Sequence, residues 1–92
     1  MLKTKLVKKE KLMDIINSLK DTAYLLYYKY DINNNIKQFM CAKDGNEEVK
    51  NGVFYFSLYP TYAGSSSTFK SLQIYEVTGL YDSYKNIKYY FV

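Results

Sequence analysis

Lysines stand between tyrosines at two places in the sequence, residues 27–31 (YYKYD) and residues 84–92 (YKNIKYYFV). Aromatic rings on an open sheet can stack on the bases of a single strand, while ammonium groups follow its phosphates. The same interleaving is typical of one face of a half-buried antiparallel sheet, and A/T-rich codons enrich both residue types. The pattern therefore predicts a surface of rings and cations and leaves its use open.

The basic charge of the chain is concentrated at its start. All 13 basic residues are lysines, and the formal net charge is +4. Residues 1–20 hold six lysines and two acids, so they account for the whole excess. Arginine, which reads phosphate and guanine through paired hydrogen bonds, is absent. Because the N-terminal lysines could still neutralise phosphates, single-stranded nucleic acid is the alternative partner, bound through the basic N-terminus and a tyrosine-bearing sheet face.

Few residues are suited to catalysis. The chain has no histidine, the commonest general base. Cys41 lies on the same side of an alternating stretch as Phe39, which predicts a small buried hydrophobic residue rather than a nucleophile. Glu47 and Glu48 are expected to be solvated, and residues 63–71 (AGSSSTFKS) lack the Gly-Lys-Ser/Thr of a phosphate-binding loop. We expect no enzymatic activity, no catalytic residue, no cofactor and no metal site.

Helical periodicity is confined to the N-terminal part of the chain. Four apolar residues repeat with the spacing of one helical stripe and predict an amphipathic helix over residues 8–20. These are Leu12, Ile15, Ile16 and Leu19. Residues 1–7 alternate leucines with lysines, which favours an edge strand protected by charge, with a helical extension as the alternative.

Beyond residue 21 the period changes to two, which predicts strands. We expect them at residues 23–30, 36–43, 53–59, 69–78 and 86–92. Asparagine tolerates left-handed backbone angles, so Asn33-Asn34-Asn35 predicts a turn between the first two. Residues 45–51 (GNEEVKN) predict a polar loop, Pro60 the end of a strand, and Gly79 a turn before the last strand.

These elements predict an α+β fold in which residues 1–92 form one domain. Short connections favour antiparallel pairing, because parallel neighbours need a crossover of about a dozen residues. We expect a single antiparallel β-sheet of four to five strands over residues 23–92, with the N-terminal amphipathic helix packed on one face. The expected order of elements is β-α-β-β-β-β.

Alternation along the strands assigns side chains to two faces of this sheet. The expected core face carries Phe54, Phe56, Leu58, Leu72, Ile74, Ile87, Tyr89 and Phe91. The expected outward face carries Val53, Tyr55, Ser57, Tyr59, Gln73, Tyr75, Val77, Lys88, Tyr90 and Val92. The first hairpin strand has tyrosines on both sides, so its faces stay unassigned.

A protein partner is the leading expectation. The chain contains 12 tyrosines, more than so small a core can bury with every hydroxyl satisfied. Tyrosine is enriched in interfaces because it offers a large contact area, few rotatable bonds and a polar tip. We expect a non-enzymatic macromolecule-binding module that occludes a partner's surface. The expected binding surface comprises Tyr55, Tyr59, Tyr75, Tyr90, Lys88, Lys5, Lys8, Lys9 and Lys11.

In its size, its composition and its lack of histidine, the chain resembles accessory proteins of phages and mobile elements, including anti-CRISPR inhibitors of host defence. The resemblance implies an inhibitor that acts without catalysis. Mimicry of nucleic acid by acidic residues is not expected, because the chain is net positive and its acids form no long run.

The expected compartment is the cytoplasm, since a single cysteine cannot form an internal disulfide. The longest apolar run, residues 23–28, is far shorter than the about 20 residues that span a bilayer. We expect the amphipathic segment to pack on the sheet with its lysines solvated, and binding to an anionic bilayer is the alternative. Homo-oligomerisation through an open edge or the tyrosine face is also left open.

Overall fold

A computed structural model describes residues 1–20, 23–57 and 69–92. The chain begins with β1 (Lys3–Val7), followed by a 3-10 turn (Lys9–Lys11) and the helix α1 (Leu12–Ser18). The described strands that follow are β2 (Ala23–Lys29), β3 (Ile36–Ala42), β4 (Glu48–Lys50), β5 (Val53–Ser57), β6 (Phe69–Gln73), β7 (Val77–Asp82) and β8 (Ile87–Phe91). The fold is α+β, and residues 1–7 contain a strand rather than a helical extension.

The strands form two sheets, so the prediction of one antiparallel sheet is wrong. A five-stranded sheet, here called the large sheet, has the order β1-β8-β7-β2-β3, and the small sheet has the order β4-β5-β6. β1 pairs parallel with β8, whereas the other pairs are antiparallel. The parallel pair arises because the first and last strands are neighbours, so the rest of the chain serves as their crossover.

Turn residues adopt the backbone angles that their types favour. Asn34, between β2 and β3, has φ 64°, which agrees with the predicted turn. Asn51 and Gly52 both have positive φ and join β4 to β5 as a two-residue turn. Residues 45–51 are therefore not only a loop, because Glu48–Lys50 pair with β5.

The predicted strand over residues 69–78 is broken in two places. A 3-10 turn at Ile74–Glu76 separates β6 from β7. The register between β2 and β7 then shifts, because Tyr27 pairs with Gly79 whereas Tyr28 pairs with Val77, which leaves Thr78 as the extra residue of a bulge. The bulge turns Val77 inward, where it is buried, so its predicted outward position is wrong. Gly79 lies inside β7, and the turn comes after Asp82.

The core lies between the large sheet and a layer formed by α1 and the small sheet. Buried side chains of α1 belong to the same apolar cluster as those of both sheets. The rings of Phe39 and Phe56 join the sheets with centroids 6.0 Å apart. The buried members are Leu12, Ile15, Ile16, Leu19, Tyr24, Leu26, Cys41, Phe54, Phe56, Val77, Leu80, Tyr89 and Phe91.

Most of the predicted core positions are inside. Phe54, Phe56, Tyr89 and Phe91 are buried, and Leu72, Ile74 and Ile87 are partly buried against the same cluster. Ser57 is buried although its strand parity predicts the outward side. It lies beside the side chain of Asp44, a residue of the segment that follows β3. Leu58, Pro60 and residues 63–68 lie outside the described residues.

The helix α1 is short, and Lys43 holds its C-terminal end to the large sheet. The Lys43 ammonium donates to the carbonyl oxygens of Leu19 and Asn17. A cation at this position satisfies carbonyl groups that have no partner within the helix. None of the helices in residues 1–20, 23–57 and 69–92 has the length and apolar character needed to cross a membrane.

Candidate binding surface

A buried polar cluster lies beneath the β3–β4 loop and is structural. The Tyr24 hydroxyl donates to Glu47 Oε2 at 3.4 Å, and the backbone N–H of Gly45 donates to Glu47 Oε1 at 3.1 Å. The prediction that Glu47 is solvated is therefore wrong, whereas Glu48 is exposed as predicted. The Glu47 carboxylate serves as an internal partner for donors that the loop would otherwise leave unpaired.

Cys41 is buried beside this cluster, as predicted. Burial raises the pKa of its thiol to about 12 and also raises the pKa of Tyr24 above its ordinary value. A protonated, inaccessible thiol is a poor nucleophile. In residues 1–20, 23–57 and 69–92, no group of three side chains could hold a metal ion, and every buried side-chain nitrogen or oxygen has a hydrogen-bond partner.

The predicted binding surface is divided between the two sheets. Tyr55 and Tyr75 line a shallow depression of about 310 Å³ over the small sheet and the 3-10 turn. Tyr90 and Lys88 lie on the large sheet instead. Tyr75 is 65% exposed and Tyr90 is 40% exposed, so neither ring belongs to the core. Tyr59 lies outside the described residues.

The N-terminal lysines of the predicted surface are spread over different surroundings. Lys9 Nζ donates to the carbonyl oxygen of Tyr75 at 3.1 Å. Lys11 pairs with Asp14 at 3.8 Å within the helical segment. Lys5 is the register partner of buried Tyr89, so it lies on the opposite side of the sheet from Tyr90. Lys8 is exposed before the 3-10 turn.

One face of the large sheet has no described element packed on it, and we call it the outer face. Register places its residues, because paired residues on neighbouring strands share a face. They are Thr4 and Leu6 of β1, Lys88 and Tyr90 of β8, Gly79 and Tyr81 of β7, Leu25, Tyr27 and Lys29 of β2, and Ile36, Gln38 and Met40 of β3.

A groove runs across the middle of the outer face. Tyr90 and Tyr27 are both register partners of Gly79, so the two rings flank a residue without a side chain. The groove has a volume of about 190 Å³. A Cβ atom on Gly79 would lie 2.6 Å from the carbonyl oxygen of Tyr89, so the close packing of β7 on β8 requires glycine here.

Lys88 lies between the two rings that flank this groove. Its Nζ is 4.0 Å from the ring centroid of Tyr27 and 4.6 Å from that of Tyr90. Both distances are within the range of cation–π attraction. Lys88 and Tyr90 belong to the binding surface predicted from the sequence, whereas Tyr27 and Gly79 were not predicted as part of it. A glycine inside an alternating strand was the available signal, since it often marks a bulge or a close backbone approach.

The outer face combines exposed apolar residues with two lysines and carries no acidic side chain. Its exposed apolar residues include Leu6, Ile36, Met40 and Tyr90. Its charges are Lys88 near the middle and Lys29 at the end of β2. The large uncovered side chains and the two positive charges make this face the candidate binding surface.

Comparison of the chain with known proteins found no matching family model, no matching curated protein and no matching solved structure.

Proposed function

We propose that the protein is a non-enzymatic module that binds another protein through the outer face. The observation that carries the proposal is the set of large apolar side chains that this face leaves in solvent. Leu6 is 75% exposed, Ile36 is 52% exposed and Met40 is 46% exposed. Leu6 lies at one edge of the sheet and Ile36 and Met40 at the other, and large exposed apolar side chains on one face often mark a binding site.

The composition of the outer face suits a protein more than a nucleic acid. Tyrosine and methionine are enriched in protein interfaces, whereas charged residues are depleted at the centre. Single-strand binding would need several cations along the rings, but Lys3 and Lys5 pair with residues of the inner side, Ile87 and Tyr89. Single-stranded nucleic acid is therefore the less favoured of the two partner classes, and it is tested separately below.

In its finer form, the proposal is that the protein inhibits its partner by covering a functional surface, as a phage-encoded anti-CRISPR inhibitor of host defence would. Such a role needs a rigid surface and affinity, but no catalytic group. It agrees with the cytoplasmic expectation and with a chain whose sole cysteine is buried.

Site-specific photo-cross-linking tests the proposal. A benzophenone amino acid replaces Tyr90 on the outer face, and the matched control carries it at Tyr84, which is 64% exposed. Lys20 Nζ lies 4.9 Å from the Tyr84 ring centroid, so this control tyrosine is on the helix side. We expect the Tyr90 probe, and not the Tyr84 probe, to cross-link one discrete protein in cells that contain the partner.

Two further measurements complete the test. Both probe proteins should show the thermal unfolding midpoint of the parent, so that a difference in cross-linking reports the surface and not the fold. A probe at Met40, also on the outer face, should capture the same protein as the probe at Tyr90. Equal cross-linking from Tyr84, or different proteins at Tyr90 and Met40, would contradict the proposal.

The competing partner class has its own measurement. Labelled single-stranded DNA and RNA are titrated with the protein at low and moderate salt, because phosphate binding weakens steeply as salt rises. We expect no saturable binding even at low salt. Salt-sensitive binding that is lost in the Tyr27→Ala variant would replace a protein partner with a nucleic acid.

A further inference from the structure

Lys88 is held in place before any partner arrives. Its ammonium contacts two ring faces, and its side chain is only partly exposed. An exposed lysine samples many rotamers and loses that freedom when it binds. Lys88 has already lost part of this freedom in the folded protein, which lowers the entropic cost of a new contact at its ammonium.

Lys88 has no internal counter-ion in the part of the chain that the structure describes. The ion pair found there is Lys11 with Asp14, on the helical segment. Lys29, the other lysine of the outer face, is two residues from Asp31, a carboxyl group whose pKa is lowered by hydrogen bonds from Asn35 and Asn33 and also by the charge of Lys29. Lys88 is thus the positive charge of the outer face that is left for an external anion.

The surroundings of Lys88 decide what kind of anion fits. Leu6, Tyr90 and Tyr27 lie in neighbouring positions, so a partner that closes over the groove removes the ammonium from water. A charge removed from water without an opposite charge is strongly unfavourable. The complementary surface therefore combines apolar groups with a carboxylate. A second copy of this chain cannot supply that carboxylate from the same face, which has lysines and no acid.

We infer that the groove between Tyr27 and Tyr90 receives an aspartate or glutamate side chain of a protein partner, and that Lys88 pairs with its carboxylate while apolar residues around it cover the rings. This inference rests on the proposed function and names the chemistry of the partner at one point of the interface. Lys88 would fix the register of docking, and the apolar side chains would supply most of the buried area.

A random peptide library displayed on phage tests the inference with the protein as it stands. Peptides are selected on the wild-type protein, and those that also bind the Tyr90→Ala variant are removed, so that ligands of the outer face remain. We expect the remaining peptides to share an aspartate or glutamate flanked by apolar residues. Peptides of the same library selected without the depletion step give the background frequency of acids.

Affinities for three variants then locate the contact. For an enriched acidic peptide, Lys88→Met should weaken binding by about tenfold or more, because it leaves a carboxylate unpaired against an apolar surface. Lys88→Arg keeps a cation over the rings and should stay within a few fold of wild type. Lys50→Met, on the small sheet, should change nothing. The same peptide with asparagine in place of aspartate should lose affinity for wild type and not for Lys88→Met.

The outcomes separate the inference from the proposed function. Outer-face peptides without acids, or acidic peptides that bind Lys88→Met as well as wild type, would overturn the inference and leave a protein-binding face. The proposed function would also be contradicted if no recovered peptide depended on Tyr90 and if the probes at Tyr90 and Tyr84 cross-linked equally. A dimer that dissociates on Lys88→Glu substitution would also overturn the choice of partner.

Discussion

At the scale of single residues, Cys41 shows how position decides reactivity. A lone cysteine in a sequence without histidine could be a nucleophile or a core residue, and alternation with Phe39 favours the core. The structure confirms this, with Cys41 completely buried. The consequence is a thiol that stays protonated through the neutral range, since burial penalises the thiolate.

Labelling measures this consequence. With a native pKa of about 12, the thiolate fraction near pH 8 is on the order of one in ten thousand. Ellman's reagent should therefore react with Cys41 only as fast as the protein opens, and at once in denaturant. A rapid, full reaction under native conditions would show that Cys41 is accessible.

The same pKa shift has a defined sign for stability. The unfolded thiol ionises near its ordinary value of 9.0, before the folded thiol does. The contribution of the protonated Cys41 thiol to the free energy of unfolding is thus fully present below about pH 9 and is lost as pH rises towards the folded pKa. Tyr24, whose pKa is also raised by burial, adds to the loss. Denaturant unfolding of wild type and Cys41→Ala should show a weaker alkaline loss of stability in the variant.

Gly79 is the second residue whose role depends on its neighbours. Its missing side chain lets β7 approach the Tyr89 carbonyl and leaves the groove open between Tyr27 and Tyr90. Gly79→Ala should cost about 1–3 kcal/mol of unfolding free energy, because backbone must move to admit the methyl group.

The matched control for this change is a glycine with open space around it. Gly52 has φ 76° and no atom within 4 Å of a built Cβ. Gly52→Asn should cost about 1 kcal/mol or less, because asparagine adopts left-handed angles with little strain. Equal losses at the two positions, measured by urea unfolding, would mean that the Tyr89 contact does not matter.

At the scale of elements, the parallel pair of β1 with β8 is the feature that sequence reasoning did not foresee. Short connections correctly predict antiparallel neighbours for strands adjacent in the chain, as in β2 with β3 and β7 with β8. They say nothing about strands that are far apart in sequence. Here the first strand completes the sheet beside the last one, with Lys3 and Lys5 on the inner side and Thr4 and Leu6 on the outer face.

Engineered cysteines test this pairing in a Cys41→Ala background. Leu6 and Tyr90 are register partners, so their Cα atoms are separated by about 4.8 Å, within disulfide range. Leu6→Cys with Tyr90→Cys should form an intramolecular disulfide on mild oxidation. Leu6→Cys with Lys88→Cys is two residues out of register, about 8 Å apart, and should not.

Intact mass spectrometry under non-reducing conditions gives the result. An antiparallel arrangement of β1 and β8 centred on Lys5 and Tyr89 would reverse the outcome, because Leu6 would then face Lys88. A disulfide in the control pair, Leu6→Cys with Lys88→Cys, would therefore indicate that β1 and β8 are antiparallel.

At the scale of the whole molecule, the two terminal strands contribute unequally. β8 lies between β1 and β7 and supplies buried Tyr89 and Phe91 to the core. β1 lies at the sheet edge, and its residues are exposed except for half-buried Val7. The interior strand should therefore be essential for folding and the edge strand should not.

Terminal deletions measure this difference. Removal of residues 87–92 should abolish the cooperative unfolding transition, since it opens the sheet and the core together. Removal of residues 1–7 should leave a cooperative transition with stability lowered by about 1–3 kcal/mol, as for loss of a modest set of contacts. Circular dichroism during thermal unfolding distinguishes the cases. A cooperative protein without β8, or an unfolded one without β1, would contradict this assignment.

Local pattern in the sequence determined much of this protein. The period of Leu12, Ile15, Ile16 and Leu19 gives the buried stripe of α1 and its C-cap residue Leu19. Strand parity gives the inward positions of Phe54, Phe56, Tyr89 and Phe91. These features depend on the backbone period, which neighbouring residues alone decide. The asparagine turns and the buried Cys41 follow from local chemistry in the same way.

The tertiary structure alone decided which strands are neighbours and which face is left uncovered. The bulge at Thr78 turned the Val77 side chain from the predicted outward side to the inner side. The division into two sheets separated Tyr55 and Tyr75 from Tyr90. Register across β2, β7 and β8 placed Lys88 between Tyr27 and Tyr90, residues 61 and 2 positions away from it in the chain. The contact of Lys88 with Tyr27 depends on packing between distant segments, which no local period encodes, whereas alternation alone already placed Lys88 and Tyr90 on one face.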